Sequence, residues 1–227
     1  MKSQQSGFTL VEIAIVLVII GLLLGGILKG QELINSAKVK NLANDFRVIP
    51  TYIYAYQDKY KALPGDDSAA DTRASGAVKA STPAGKLGNV VIDGNWNSTT
   101  QTDESYLFWQ HVRLANLASG ATAQTDTTYV PKNAMGGDIG ISSATSTYLQ
   151  IAGMSGTYQV CSGAILGKFV KQLDVQMDDG QPCTGSLRAV AEGAAVGAVP
   201  VKAPGAPACC TGADIDDATP YIVCMTF

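Results

Sequence analysis

The chain has 227 residues, of which only 15% are charged, and a net charge of −3. That length bounds it to one soluble domain plus an anchor, or two small domains. Residues 8–63 hold six Lys/Arg against four Asp/Glu (+2) and residues 64–227 hold nine against fifteen (−6), which argues against a broad phosphate-binding face on the distal part.

Residues 8–28 form an apolar run of 21 residues whose one charge is Glu12. As a helix the run is about 31 Å long, the thickness of a bilayer's hydrocarbon core. A cleaved secretory signal places a small-residue site after a shorter apolar run. Here the small-residue junction, Ser6-Gly7, comes before the run. A cut there leaves the hydrophobic helix on the mature protein. The flanking charges, Lys2 on one side and Lys29, Lys38 and Lys40 on the other, do not favour an N-in orientation.

Beyond the run, Leu42, Phe46, Ile49, Ile53, Tyr56, Tyr60 and Leu63 alternate at spacings of four and three. They make one apolar stripe on a continuing helix whose outer portion packs on a head. Pro50 removes a backbone donor and predicts a kink near Phe46. "LPGDD" (63–67) predicts the stop. Residues 68–102, rich in Ala, Ser, Thr and Gly, read as a surface loop with a short strand at 89–92. Thr102 or Asp103 then caps a helix that turns Leu107, Phe108, Val112 and Leu117 inward and ends at Gly120. "DIGIS", "TYLQIA" and "TYQVC" read as strands, "GAILGKFVKQLDVQ" as a short helix and "DDGQPCTG" as a turn. "LRAVA" and "YIVCMTF" complete the sheet, with residues 192–208 a loop.

Gly7-Phe8-Thr9-Leu10-Val11-Glu12, after a short polar leader and before an uninterrupted apolar run, resembles the N-terminus of type IV prepilins and type II secretion pseudopilins. The resemblance is strong over residues 8–63 and weaker beyond. It implies that a prepilin peptidase cuts between Gly7 and Phe8, that Phe8 is N-methylated, and that Glu12 is the assembly glutamate. The implied fold is α+β and type IV pilin-like, a long N-terminal helix packed on a small antiparallel sheet. The expected divisions are a leader (1–7), a transmembrane and assembly helix (8–28), an amphipathic helix (29–63) and a globular head with long loops (64–227). The implied partners are other pilin subunits in a helical filament, the peptidase and the inner-membrane assembly machinery. The implied location is the bacterial inner membrane as precursor, then a periplasmic or cell-surface filament. Nucleic acid is not indicated.

The physics of Glu12 stands beside that resemblance. A charge in a lipid-exposed helix costs something like 2.5–3.5 kcal/mol, so such residues have partners. Cleavage creates a cation, the Phe8 amine, which Glu12 of a neighbouring protomer can neutralise while setting register. The plainer reading is a helix-start carboxylate favoured by the helix dipole. Gly21, Gly25 and Gly26 form a small-residue face or mark where the helix loosens in a filament.

All five cysteines (Cys161, Cys183, Cys209, Cys210 and Cys224) lie in the distal half, which points to an oxidising compartment. Cys161 with Cys183, and Cys209 or Cys210 with Cys224, each close a modest loop, although spacing does not decide connectivity. The second pair resembles the C-terminal disulfide loop of many pilins. Asp174, Asp178 and Asp179 surround a Gly turn and are candidate Ca²⁺ ligands, as in some pseudopilin heads, but they lack the full loop pattern. A solvated turn is the simpler reading, as it is for Asp66, Asp67 and Asp71. His111, the only histidine, reads as structural. No GxSxG, phosphate loop or zincin motif is present, so no catalytic residue or cofactor is assigned. The expected function is a structural pilus subunit, major or minor. The alternatives are a type II secretion pseudopilin and, from another class, a monomeric signal-anchored periplasmic binding protein or enzyme.

Overall fold

The computed structural model describes residues 9–227. They include a 51-residue helix, α1 (Leu10–Tyr60). From Leu10 to Lys29 every residue is exposed. Val39 is the first buried position, followed by Leu42, Ala43, Phe46, Ile49, Ile53 and Tyr56. The chain accordingly separates into two compact units, one ending at Lys38 and one from Val39 to Phe227. The expected stripe is the buried face. Pro50 lies inside the helix without ending it, and Thr51 donates to the Val48 carbonyl at 2.6 Å. The helix stops at Tyr60, three residues before the expected end, where Lys61 takes a left-handed φ of 55°.

Short α2 (Ala70–Arg73) follows, then α3 (Glu104–Leu114). Asp103 occupies the N-cap position of α3, but its carboxylate caps no helix amide. It accepts instead from Thr82 and Ser98 hydroxyls. The helix ends at Leu114 rather than at Gly120, because Asn116 turns left-handed with φ 59°. Leu107, Phe108 and Val112 are fully buried, as their spacing predicts.

The remaining elements are β1 (Ile139–Ser143), β2 (Tyr158–Leu166), α4 (Gly167–Met177), β3 (Leu187–Ala191) and β4 (Pro220–Thr226). All pairings are antiparallel, in the order β1-β2-β4-β3. The sheet has two covered faces. Val160, Leu187, Ala189, Tyr221 and Val223 join α1 and α3 in the larger core. Cys161, Val190, Ile222 and Cys224 face a smaller cluster built on Trp96, Ile151 and Met154. Burial on both faces explains why these strands read as near-continuous apolar runs.

Two expected strands are absent. Residues 89–92 form a loop, in which Ile92 is held by the Ser143 hydroxyl at 2.8 Å. "TYLQIA" contributes one bridge, Ile151 to Ala198. Conversely, β2 runs on through Leu166 into the sequence read as helix. A register shift between Ser162 and Ile165, with Ala164 at φ 56°, lets the strand continue. The result is an α+β, type IV pilin-like fold, in which the outer part of a long helix packs against a small antiparallel sheet.

Candidate functional site

Gly7 and Phe8, the expected cleavage and methylation positions, lie outside the described residues. Glu12 sits in the first turn of α1. Its Oε2 accepts from the Thr9 amide at 2.8 Å and from the Thr9 hydroxyl at 2.7 Å, while the Glu12 amide donates to Thr9 Oγ1 at 3.3 Å. This reciprocal arrangement is a capping box, and it satisfies helix-start donors that have no intrahelical acceptor. Thr9 was missed as a site residue, although the T-x-x-E spacing that signals such a box is legible in "TLVE". Two properties therefore coexist at Glu12. Within one chain the carboxylate is a cap with a neutral partner, and it remains exposed to any cation a second chain brings. Gly21, Gly25 and Gly26 have open space where a Cβ would stand, so nothing within this chain requires glycine there.

The cysteines pair differently from either loop considered from spacing. Cys161 bonds Cys224, and Cys183 bonds Cys210, with sequence separations of 63 and 27. Cys209 is free and exposed. The first bond follows from the sheet: Cys161 and Cys224 are register partners on β2 and β4, with Cα atoms 4.1 Å apart. A cross-strand pairing of this kind depends on which strands are neighbours, and spacing does not encode that.

The acidic turn does not assemble as one ligand set, and no group of three metal-ligating side chains occurs among the described residues. Asp174 is buried in α4, with the Gly180 and Gln181 amides nearby but neither carboxyl oxygen in a well-formed hydrogen bond. Burial pushes its carboxyl up to about 7. Asp178 accepts from the Leu187 amide at 2.8 Å. Asp179 accepts from the Gln181 amide at 2.8 Å and the Thr184 hydroxyl at 2.5 Å. The latter two carboxylates hold the turn that leads into β3.

His111 is structural, as its setting on an amphipathic helix implies. Nδ1 accepts from the Gly65 amide at 2.9 Å and Nε2 faces the Val78 carbonyl at 2.8 Å, a pattern that requires the neutral Nε2–H tautomer. Burial lowers its pKa in the same direction. Asp67 accepts from the Tyr56 hydroxyl at 2.8 Å and pairs with Arg73 at 2.6 Å. Asp66 accepts the amides of Gly88, Asn89 and Val90. These acids latch the end of α1 to the loops above it. Glu104, also missed, is fully buried with Oε2 on the Asp93 amide at 2.8 Å. Burial, reinforced by Asp66 and Asp93, pushes its carboxyl up to about 8.

Residues 2–28 match the family model described as the prokaryotic N-terminal methylation motif. The chain carries the prepilin-type segment of the type IV pilin and pseudopilin family. No curated protein and no solved structure matches it. The matched segment contains the start of α1, a helix long and apolar enough to cross a membrane, as anchoring of a precursor requires. Motif and fold together assign a pilin- or pseudopilin-like structural role.

Proposed function

We propose that this chain is a structural subunit of a type IV pilus-like filament, polymerising through α1 after its leader is removed. The reading rests on one observation: the methylation motif at residues 2–28 takes in the start of a helix whose first twenty residues, 10–29, bury nothing in their own chain. Such a surface, with a lone carboxylate, is matched to lipid before assembly and to other helices afterwards.

The leader ends at Gly7, and scission frees the Phe8 amine four residues before Glu12. In the monomer Thr9 occupies that carboxylate. In a bundle, the amine of a neighbour supplies a full opposite charge in a medium where an unpaired carboxylate is costly. The exchange from an internal neutral partner to an external cation rewards one axial register and penalises others. The rival reading, a signal-anchored binding protein or enzyme, accounts for the apolar helix and for Glu12 as its cap, but gives the Gly7-Phe8 junction no task.

Intact-mass measurement on membrane-extracted protein tests the processing step. The expected result is loss of residues 1–7 and gain of one methyl group; retention of Met1 in the native material overturns the reading. For assembly, Glu12→Ala is expected to leave processing intact while lowering incorporation into sheared fibres at least about tenfold. Normal incorporation would remove Glu12 from the mechanism.

A further inference from the structure

Between the outer half of α1 and the end of α3 lies a cavity of about 180 Å³ whose lining includes Asp45, Tyr52, Trp109, Arg113 and Lys132. Arg113, in the last turn of α3, is 6% exposed. Its Nη1 donates to the carbonyls of Ala121 and Tyr129 at 2.8 and 2.6 Å. Its guanidinium lies 5.5 and 5.3 Å from the ring centres of Trp109 and Tyr129. Nε has no acceptor, and no carboxylate pairs with the group among the described residues. Lys132 is already paired, to Asp138. On the α1 wall Asp45 is half-buried and also lacks an ion-pair partner among the described residues. Burial raises its carboxyl to about 6.

Buried charges are ordinarily paired, since desolvation is otherwise uncompensated. Here a cation and an anion line one cavity without touching. A simple anion drawn to Arg113 meets Asp45, and a simple cation drawn to Asp45 meets Arg113. A molecule carrying both charges answers both. Both Nη1 hydrogens are taken by the two carbonyls, which leaves Nη2 as the charged donor for a carboxylate, and a few convergent polar groups on an otherwise apolar wall define orientation. Val48, Ile49, Pro131 and Ile139 supply that wall. We propose that this cavity binds a small zwitterion of amino-acid size, its carboxylate towards Arg113 and its ammonium towards Asp45.

Trp109 lines the cavity and Trp96 is the chain's one other tryptophan, so fluorescence of the full chain in detergent micelles reads occupancy. The probes are glycine and alanine, with acetate and methylammonium as single-charge controls. The expected result is saturable quenching by a zwitterion, at least about tenfold tighter than by either control. Asp45→Asn is expected to weaken the zwitterion about tenfold without weakening acetate, whereas Arg113→Lys weakens both glycine and acetate. Arg113 also ties two carbonyls, so its variant can fail to fold. Asp45→Asn then carries the test, with the melting temperature as its folding control. No saturable signal from glycine or alanine, acetate as tight as glycine, or an Asp45→Asn variant with unchanged affinity would each overturn the proposal.

Discussion

The two halves of α1 share one helical backbone and bury very different surfaces. From Leu10 to Leu28 apolar residues occupy every side of the helix and all stay exposed in the chain. From Val39 to Tyr56 apolar side chains recur on one face and are buried there, with Lys40, Asn41, Arg47 and Tyr54 exposed beside them. An all-round apolar helix needs surroundings that accept every face, whereas a striped one needs a single partner surface. The same secondary structure therefore serves two tasks, and the width of the apolar face separates them.

The sharpest way to break that comparison is a matched pair of truncations. Phe46→Ala is expected to cost the head about 3–5 kcal/mol, because a fully buried ring leaves a cavity in the main core. Ile19→Ala is expected to leave head unfolding unchanged, since its side chain is exposed. Chemical denaturation of both variants in micelles checks the contrast. Equal losses would mean that residues 10–28 contribute to head stability.

The disulfides sharpen the head's side of the comparison. By loop-closure entropy, removing Cys161–Cys224 is expected to cost about 4 kcal/mol, and removing Cys183–Cys210 about 0.7 kcal/mol less. Paired Cys→Ala variants followed by urea unfolding test the order, which follows from separations of 63 and 27.

A further effect is pH dependence. Glu104 and Asp174 have folded-state pKa values raised to about 8 and about 7, above their unfolded values. The folded head then holds two protons that the unfolded chain releases, so the contribution of these two groups to stability is greatest below about pH 4 and is lost as pH rises to about 8. Glu104→Gln is expected to abolish this loss between about pH 7 and 8 and to halve it between about pH 4 and 7, whereas Asp174→Asn halves it between about pH 4 and 7 only. Thermal melts between pH 4 and 9 check both. Nothing in residues 13–28 titrates, so unfolding of that half should show no matching trend.

The smallest expected effect belongs to the capping box. Thr9→Ala removes a cap with a typical value of about 1 kcal/mol and should speed amide exchange in the first turn only. Protection lost beyond the first turn would show that the box holds more than the helix start.

Much of this was legible in sequence because it is local. The spacing of Leu42, Phe46, Ile49, Ile53 and Tyr56 gives the buried face of α1 directly, and "DIGIS", "LRAVA" and "YIVCMTF" locate three strands. What escaped is set by contacts distant in sequence. Val90, Val91 and Ile92 look like a strand, yet Asp66 and Ser143 take the amides of Val90 and Ile92 that a neighbouring strand would need. Gly163 and Ala164 look helical, but they form the irregularity between the β4 pairings of Ser162 and Ile165, and those pairings carry the strand on to Leu166. Neither the cysteine pairing nor the Asp45–Arg113 cavity has a local signature, since each joins elements far apart along the chain. At the first turn the motif identifies Glu12, and the T-x-x-E spacing of "TLVE" already carries its intrachain partner Thr9.

The position of β4 has a consequence for biogenesis. The last strand in chain order fills a central place, between β2 and β3, so the sheet cannot close until residues 220–226 are in place. Until then β2 and β3 each present an unzipped edge and Cys161 waits for its mate. Arrival of β4, rather than completion of the earlier elements, thus sets the moment at which this head can mature.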